Sequence, residues 1–427
     1  MKKISALILF LVISVILATS VNAQEINAGD VAWVAAASAL VMIMTPAVGF
    51  FYGGLVHRKH LLSTIIQSIA IFAVVSIVWT LWGYSIAFGP SINGYFGDLS
   101  KAGLNNVGAE PGDYGSTIPE WLFYFFQLKF AAITPALIIG AFAGRIKFSS
   151  LILFTILWTT FIYSPVAHWV WNANGWLAGL GAIDFAGGTV VHIAAGVSAL
   201  AAAIFIGRSS STIGEMKPNN VPFVILGAAL LWFGWFGFNG GSALAANGLA
   251  ANALVVTNLA AAAAGLSWMG VDWIRKGKPS AVGFSIGVIC GLVAITPASG
   301  FVGVIPSIII GLVAGILSNF VANWRATRTK IDDTLDVFAC HGIAGIWGAL
   351  ATGLFASAAI NNIDGLFYGN PMQLVYQAIA VAVVIVYTFV GSYVLLKLIS
   401  LFKNIRVSKE EEEKGLDISQ HKEEAYG

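Results

Sequence analysis

Two histidines lie in the most apolar stretches of this chain, in segments that look like copies of one another. The first reads Asp184-Phe-Ala-Gly-Gly-Thr-Val-Val-His192-Ile-Ala-Ala-Gly196, and the second reads Asp336-Val-Phe-Ala-Cys-His341-Gly-Ile-Ala-Gly345. In each, a glycine follows the histidine by four residues and therefore lies on the same helical face, one turn away. A lone buried histidine is more often a hydrogen-bonded core residue, but ionisable groups at membrane depth usually face a cavity or a pathway. Two at related positions predict a pore to which each half of the chain contributes one imidazole.

An aspartate precedes each histidine. Asp184 has two interpretations: it could hold a cation electrostatically, or it could accept backbone N–H bonds near the start of a helix, as carboxylates at helix N-termini do. We favour the structural role for Asp184, and we expect the same role for Asp336.

The composition predicts an integral membrane protein. Of the 427 residues, 58% are hydrophobic and only 10% are charged, and the mean hydropathy is +0.84. The formal net charge of +2 gives no indication of nucleic-acid binding. The two cysteines, Cys290 and Cys340, lie in apolar segments and form no CxxC pair. We therefore predict buried free thiols, with neither a disulfide, a metal site nor a cofactor.

The N-terminus has the layout of a signal peptide. Lys2 and Lys3 precede an apolar run, which ends near the small-residue sequence Val21-Asn-Ala23. This pattern predicts a signal peptide at 1–23 that is cleaved before Gln24. The alternative is an uncleaved first helix.

The rest of the chain consists largely of apolar runs long enough to cross a bilayer. We predict eleven spans, near 31–55, 61–88, 120–143, 149–171, 188–206, 221–240, 251–275, 281–297, 302–323, 337–358 and 372–402. The first five (31–206) and the next five (221–358) form two halves, and an odd number of spans per half forces opposite orientations. The predicted fold is therefore an all-α integral membrane protein with an inverted five-helix repeat plus a long final helix. The membrane domain covers 24–403, and a polar tail follows at 404–427.

Basic residues fall in alternate loops and orient the spans. They are Arg58, Lys59, Arg145, Lys147, Arg208, Lys217, Arg275, Lys276, Lys278, Arg325, Arg328 and Lys330. By the positive-inside rule these loops are cytoplasmic. We therefore predict a multi-pass protein of the cell (inner) membrane, with the mature N-terminus outside and the C-terminal tail in the cytoplasm. The tail carries the acidic run Glu410–Glu413, and such a run is usually a solvated segment.

Several motifs occur together in one order. They are Gly49-Phe-Phe-Tyr-Gly-Gly-Leu55, the segment 184–192, Gly234-Trp-Phe-Gly-Phe-Asn-Gly-Gly-Ser242, Gly277-Lys-Pro-Ser280, the segment 336–342 and the tail sequence Gly415-Leu-Asp-Ile-Ser-Gln-His421. With these motifs the chain resembles, from about Gly29 to Tyr426, the ammonium transporter family, called Amt in bacteria, archaea and plants and Mep in fungi. The tail motif is typical of Amt proteins rather than of the more distant Rhesus-type channels.

The resemblance implies a role for particular residues. It implies twin pore histidines at His192 and His341, and two stacked phenylalanines at Phe130 and Phe238 that close the outer mouth. It also implies an external ammonium recruitment site at Trp171, Ser242 and Phe130, with the acidic residue Asp184 below it. It further implies a homotrimer with one pore in each subunit, and a trimeric PII-type signal protein that docks at the cytoplasmic face.

Physical chemistry agrees with these implied roles. Aromatic rings attract a cation through their quadrupoles, and the hydroxyl of Ser242 can accept one N–H of ammonium. Each aromatic alone could equally be a membrane-interface or packing residue, as for Trp171. Beyond the phenylalanines an ion would lose its hydration at a cost of several kcal/mol, whereas neutral ammonia loses far less. The expected activity is thus recruitment of ammonium and conduction of ammonia, with a proton moved separately.

One residue departs from the expected pattern. Lys129 directly precedes Phe130 inside a membrane span, where the resemblance implies an uncharged residue. Its amine could snorkel to the outer surface, pair with a carboxylate such as Glu120, or face the vestibule and repel ammonium.

Two other functions compete with transport. A sensor of the same fold would report ammonium to a signalling partner, but only about 25 residues follow the last span. A metal-dependent enzyme would need a third ligand, and neither histidine segment contains His-x-x-x-His or Glu-x-x-His. We therefore predict a transporter of ammonium rather than a sensor, and not an enzyme.

Overall fold

The computed structural model of the protein describes residues 25–210 and 217–426, so the predicted signal peptide at 1–23 lies outside the described residues. Eleven apolar helices of this part match the predicted spans. Ten of them are long and apolar enough to cross a bilayer, and the eighth is shorter. In chain order they are α1 Ala28–Leu55, α2 Arg58–Phe88, α3 Glu120–Phe142, α4 Phe148–Leu180, α5 Gly188–Ile206, α6 Val221–Gly240, α7 Gly248–Lys276, α8 Ala281–Ile295, α9 Val304–Arg328, α10 Phe338–Phe355 and α11 Pro371–Phe402. The predicted fold class and the predicted number of spans are confirmed.

Side chains of the sequence fix where several helices begin and end. Asn and Ser side chains accept the first free backbone N–H groups of four helices, as N-caps do. These caps are Asn27 for α1, Asn220 for α6, Asn247 for α7 and Ser280 for α8. Helix α7 ends at Gly277, whose φ of +76° is in the left-handed region that favours glycine. Helix α4 is interrupted at 172–175, directly after Trp171.

The two halves pack against each other through related elements. Helix α1 packs on α6, the first helix of the other half, and α5 packs on α10. Both α5 and α10 begin with a six-residue π-helical turn, Gly188–Ile193 and Phe338–Ile343. A third π turn, Phe236–Gly240, ends α6. Such turns are rare and are often found at functional sites; these three carry His192, His341 and Phe238.

Loops and the tail divide the molecule into two ends. We call the end that carries the basic loops the basic end; the segment 89–119 lies at the opposite end and contains the hairpin β1 Ser91–Ile92 and β2 Phe96–Gly97. The tail lies along the basic end, where Ile146 pairs with Arg406 as an isolated β-bridge. It then forms a short helix, α12 Lys409–Lys414.

The acidic run of the tail is only partly solvated, contrary to the prediction. Glu411 closes a capping box with Ser408 at the start of α12. Glu412 is buried, and its carboxylate accepts bonds from Arg406 Nη2, the Ser209 hydroxyl and the Ser210 backbone N–H at 2.6 to 2.8 Å. The run therefore attaches the tail to the loop after α5.

Candidate substrate pathway

An aromatic cavity of about 240 Å³ opens near the end opposite the basic loops. Most of its lining is aromatic, so its wall combines low polarity with a strong attraction for cations. The lining residues are Phe88, Tyr114, Phe123, Phe126, Gln127, Phe130, Trp171, Phe185, Ser242 and Leu244. The three residues predicted to recruit ammonium all belong to this set.

The predicted recruitment residues come from two helices, α3 and α4, and from the turn that follows α6. The ring of Phe130 in α3 meets that of Trp171 in α4 edge to face, with centroids 5.8 Å apart. The indole N–H of Trp171 donates to the Asp184 carbonyl at 2.9 Å, which fixes the ring. The Ser242 hydroxyl donates to the Phe238 carbonyl at 2.8 Å. Because its hydrogen is used in this way, the oxygen is free to accept an N–H from a solute.

Phe130, which lines the cavity, packs against a second phenylalanine, Phe238. Phe130 and Phe238 are both buried, and their ring centroids lie 4.3 Å apart with the planes tilted by 38°. Phe126, one turn before Phe130 on the same face of α3, contacts it at 4.9 Å between centroids and also lines the cavity. Sequence reasoning missed Phe126, although its i, i+4 spacing from Phe130 is the signal that could have found it.

The two histidines meet directly behind this aromatic pair. The Nδ1 atoms of His192 and His341 are 3.3 Å apart, and the two ring planes differ by 20°. His192 stacks on Trp235 at 5.3 Å and lies 5.9 Å from Phe238. One Nδ1 must donate and the other accept, so the two imidazoles hold opposite tautomers.

One nitrogen of the pair has no protein partner. His192 Nε2 is buried, yet it forms no hydrogen bond with any of the described residues. Buried polar atoms in native proteins are normally satisfied, and an exception often marks a functional position. Within 25–210 and 217–426, no group of three or more His, Cys, Asp or Glu side chains could hold a metal ion.

The glycines four residues after each histidine allow the close approach of the helices. A Cβ at Gly196 would overlap the backbone of Gly342, and one at Gly345 would lie 3.1 Å from Ile193 Cγ1. The α-helical part of α5 thus packs on the π turn of α10, and the α-helical part of α10 packs on the π turn of α5. Because no side chain separates the two backbones, the imidazoles that they carry reach hydrogen-bonding distance.

Asp184 organises the π turn that carries His192. Its carboxylate accepts bonds from four consecutive backbone N–H groups, those of residues 187–190, at 2.7 to 3.2 Å, and also from the Thr189 hydroxyl. These donors would otherwise be the unsatisfied N–H groups of a helix start. The carboxylate is fully occupied by this cap, which favours the structural interpretation over direct binding of a cation.

The prediction that Asp336 plays the same role in the other half is wrong. The cap of α10 is Asp333, whose carboxylate accepts from the N–H groups of Val337 and Phe338 at 3.1 and 2.7 Å. Asp333 lies eight residues before His341, as Asp184 does before His192. Asp336 instead accepts from Arg325 Nε at 2.8 Å and has a φ of +56°. Burial raises the pKa of Asp336 to about 6 despite the nearby guanidinium.

Lys129 takes none of its three predicted positions. Its side chain is buried, with Nζ 3.3 Å from the centroid of the Phe125 ring and 5.2 Å from that of Phe72. Glu120 is bonded instead to Lys101 Nζ at 2.5 Å. Lys129 is not among the residues that line the aromatic cavity. It therefore points toward α2, and its charge is held by cation–π contacts.

We predict that Lys129→Met leaves the ammonium concentration giving half-maximal current unchanged at low and at high salt. The amine lies outside the cavity, so removing its charge should not alter the attraction of a cation to it. The measurement is current against ammonium concentration in reconstituted membranes. A lower half-saturating concentration, with a gain that shrinks at high salt, would show instead that the amine reaches the cavity.

Comparison with known proteins decides the family. A family model described as the Ammonium Transporter Family matches residues 32–426. This chain belongs to the Ammonium Transporter Family. Amt1 of Archaeoglobus fulgidus, an ammonium transporter, is 49% identical over 399 residues, which are 93% of this chain and 99% of that protein. The crystal structure of Mep2 from Saccharomyces cerevisiae matches with a TM-score of 0.86 and 37% identity over 90% of this chain and 89% of that one. A solved sensor Amt protein matches with a TM-score of 0.85 and 31% identity over 92% of this chain and 98% of that one.

As a member of the ammonium transporter family, the chain is a multi-pass membrane protein, and the members of this family are transporters rather than enzymes. In this ammonium transporter family member, ring contacts and hydrogen bonds link seven of the predicted residues to one another. They are Trp171, Ser242, Phe130, Phe238, Asp184, His192 and His341. Asp336 lies outside this set, in an ion pair with Arg325.

Proposed function

We propose that the protein recruits ammonium in the aromatic cavity and conducts ammonia past the phenylalanine pair and along the two histidines, while a proton moves separately. The observation that carries this proposal is the contact of two buried imidazoles, 3.3 Å apart, directly behind Phe238 and Phe130. Trp171, Phe130 and Ser242 offer ring faces and one acceptor oxygen to a cation that has four N–H donors.

The step from cation to neutral molecule follows from the change of surroundings. The cavity attracts a cation, but the two imidazoles and the ring of Trp235 behind the phenylalanines are buried. Moving an ion into such a medium costs several kcal/mol, so ammonium releases a proton and ammonia continues. The imidazole pair can accept from or donate to ammonia at the free Nε2 of His192, and the shared Nδ1 contact offers the proton a route.

Growth of a bacterial strain that lacks its own ammonium transporters tests this proposal. Expression of the chain should restore growth when ammonium is the sole nitrogen source at low concentration and at acidic pH, where little free ammonia is present. A His192→Ala variant, present in the membrane at the same level, should restore less. If the chain reaches the membrane and growth is not restored, transport is the wrong function.

We predict that Trp171→Leu raises the half-saturating ammonium concentration about 2- to 30-fold, the equivalent of the 0.5–2 kcal/mol of one cation–π contact. Leucine keeps the apolar bulk but has no ring quadrupole. The measurement is current against ammonium concentration in reconstituted membranes, with Phe185→Leu, another aromatic of the cavity wall, as the matched variant. An unaltered concentration dependence would mean that Trp171 only packs.

A sensor is the second candidate function, because a sensor Amt protein shares the fold. Transport is favoured because Amt1, described as an ammonium transporter, is closer in sequence than the sensor, at 49% against 31% identity. A sensor would bind ammonium in the aromatic cavity without passing nitrogen across the membrane. The growth test separates the two.

We extend the proposal to location and assembly. The positive-inside rule assigns the basic end to the cytoplasm. The protein then lies in the inner membrane with its aromatic cavity open to the outer side. The transport domain comprises 24–403, and the cytoplasmic tail comprises 404–427.

The proposed assembly is a homotrimer with one pore in each subunit. Native mass spectrometry from detergent should give a mass of three chains, and a monomer would contradict this assembly.

The tail is part of a proposed docking surface for a trimeric PII-type signal protein. Asp417 of the tail accepts from the N–H groups of Leu62 and Ser63 at the start of α2, at 3.0 and 2.7 Å. Tyr426 accepts from Asn220 Nδ2 at 3.0 Å. These bonds tie the tail to loops of both halves, and a three-fold partner would match a three-fold channel.

We predict that the cognate PII protein is captured by the full chain and not by a chain ending at Lys403. The shorter chain lacks the segment that organises the loops at the basic end. The measurement is a pull-down across nucleotide and effector conditions, with ammonium current confirming that both channels are folded. Capture by neither chain under any condition would remove this partner.

A further inference from the structure

The loop between α2 and α3 contributes one side chain to the aromatic cavity. Tyr114 lines the cavity together with Phe88 and Phe123, the aromatic residues nearest to the loop. Phe123 lies in the first turn of α3, and Phe130 follows seven residues later. At 1.5 Å per residue, Phe130 is about 10 Å deeper. Tyr114 therefore lies on the solvent side of the predicted recruitment residues.

Two ring contacts hold Tyr114 in place. It stacks on Phe123 with the planes 12° apart and the centroids at 5.1 Å, and it meets Phe88 edge to face at 5.0 Å. The residue remains partly exposed. A fixed aromatic ring at the mouth of a cavity is a surface that a cation can meet first.

The charges around Tyr114 favour a cation as well. Asp113, its neighbour in the chain, is 80% exposed at its side chain and lies 3.8 Å from Lys101 Nζ. Lys101 is bonded more closely to Glu120, at 2.5 Å. The group therefore contains two carboxylates and one amine, and Asp113 carries the negative charge that faces solvent.

We propose that Tyr114 and Asp113 form a second, outer contact for small ammonium-type cations, ahead of Trp171, Phe130 and Ser242. This inference rests on the proposed recruitment of ammonium in the cavity and adds a residue of the loop to it. Asp113 draws the cation toward the mouth through its field, and the face of Tyr114 binds it there. The contact affects how readily the cavity fills and not the passage of ammonia behind the phenylalanines.

The test compares four variants in reconstituted membranes by current against ammonium concentration. Tyr114→Leu should raise the half-saturating concentration about two- to fivefold and leave the maximal current unchanged. Tyr114→Phe, which keeps the ring and loses only the hydroxyl, should behave like the wild type. Asp113→Asn, at an exposed position, should raise the half-saturating concentration at low salt and lose this effect at high salt. Trp171→Leu tests the deeper site in parallel.

Each outcome distinguishes the inference from the proposed function. Suppose that Tyr114→Leu has the half-saturating concentration of the wild type while Trp171→Leu has a higher one. Tyr114 then only packs and the outer contact is overturned, but the deeper site stands. If Tyr114→Phe loses as much as Tyr114→Leu, the hydroxyl positions the loop and the cation contact is overturned. Asp113→Asn keeps the proposal testable even if Tyr114→Leu fails to fold. A half-saturating concentration equal to that of the wild type at low salt would overturn the outer contact. No change in Trp171→Leu would instead overturn the deeper site.

Discussion

Replacing His192 or His341 with alanine is expected to lower the ratio of ammonium current to potassium current about tenfold or more. His192 lies 5.9 Å from Phe238, and each imidazole holds the other ring through the Nδ1 contact. Without it, water can enter the space and hydrate an ion, which reduces the desolvation penalty of several kcal/mol that excludes potassium. A change of only 1.4 kcal/mol in that penalty is already a factor of ten.

A third buried histidine provides the matched control. His168 in α4 is fully buried, and both of its ring nitrogens have partners, Ser91 Oγ at 2.8 Å and the Ala87 carbonyl at 2.9 Å. His168→Ala should destabilise the protein and leave the current ratio unchanged. Ratios equal to the wild type in both pore variants, with potassium still excluded, would contradict the role of the histidine pair.

Asp184→Asn is expected to lower the free energy of unfolding by about 3 kcal/mol or more. Hydrogen bonds to a charged group contribute about 1.5–3 kcal/mol each, and this carboxylate accepts from four backbone N–H groups and one hydroxyl. An asparagine keeps one acceptor oxygen and turns an amide donor toward the remaining N–H groups. The measurement is denaturation of the detergent-purified protein, followed by tryptophan fluorescence.

Two further asparagine variants show whether the loss of stability comes from the helix cap. Asp333→Asn removes the equivalent cap of α10 and should be strongly destabilising. Asp336→Asn breaks only the ion pair with Arg325, whose side chains are 11% and 27% exposed, and should cost about 1 kcal/mol. An Asp184→Asn protein as stable as the wild type, but with a raised half-saturating ammonium concentration, would show that Asp184 holds the cation instead.

The helices could be predicted from the sequence because length and apolar composition alone decide whether a segment can span a bilayer. The pairing of His192 with His341 could be predicted because both lie in related segments of an inverted repeat. The prediction of Asp336 as the cap of α10 is wrong, because the aspartate nearest to His341 is not the one that accepts the first N–H groups of the helix. The spacing of eight residues from aspartate to histidine, common to Asp184 and Asp333, was the better signal.

Other features depend on contacts that a linear pattern does not contain. The position of Lys129 is set by Phe72 on a neighbouring helix, so its place before Phe130 could not tell which way the amine points. The π turns that begin α5 and α10 lie where the two halves meet at Gly196 and Gly345, and hydropathy carries no trace of them. Tyr114 joins the cavity through a loop that packs its ring on Phe123 of α3 and Phe88 of α2, and loop conformation cannot be derived from spacing.

The most direct test of the central claim is the current of the reconstituted protein on a solid-supported membrane given a pulse of ammonium. The account predicts a transient inward movement of positive charge that saturates with ammonium concentration, because each ammonium recruited is carried across as ammonia and a proton. It predicts no such current for an equal pulse of potassium. A potassium current of the same size, or nitrogen uptake without any charge movement, would contradict it.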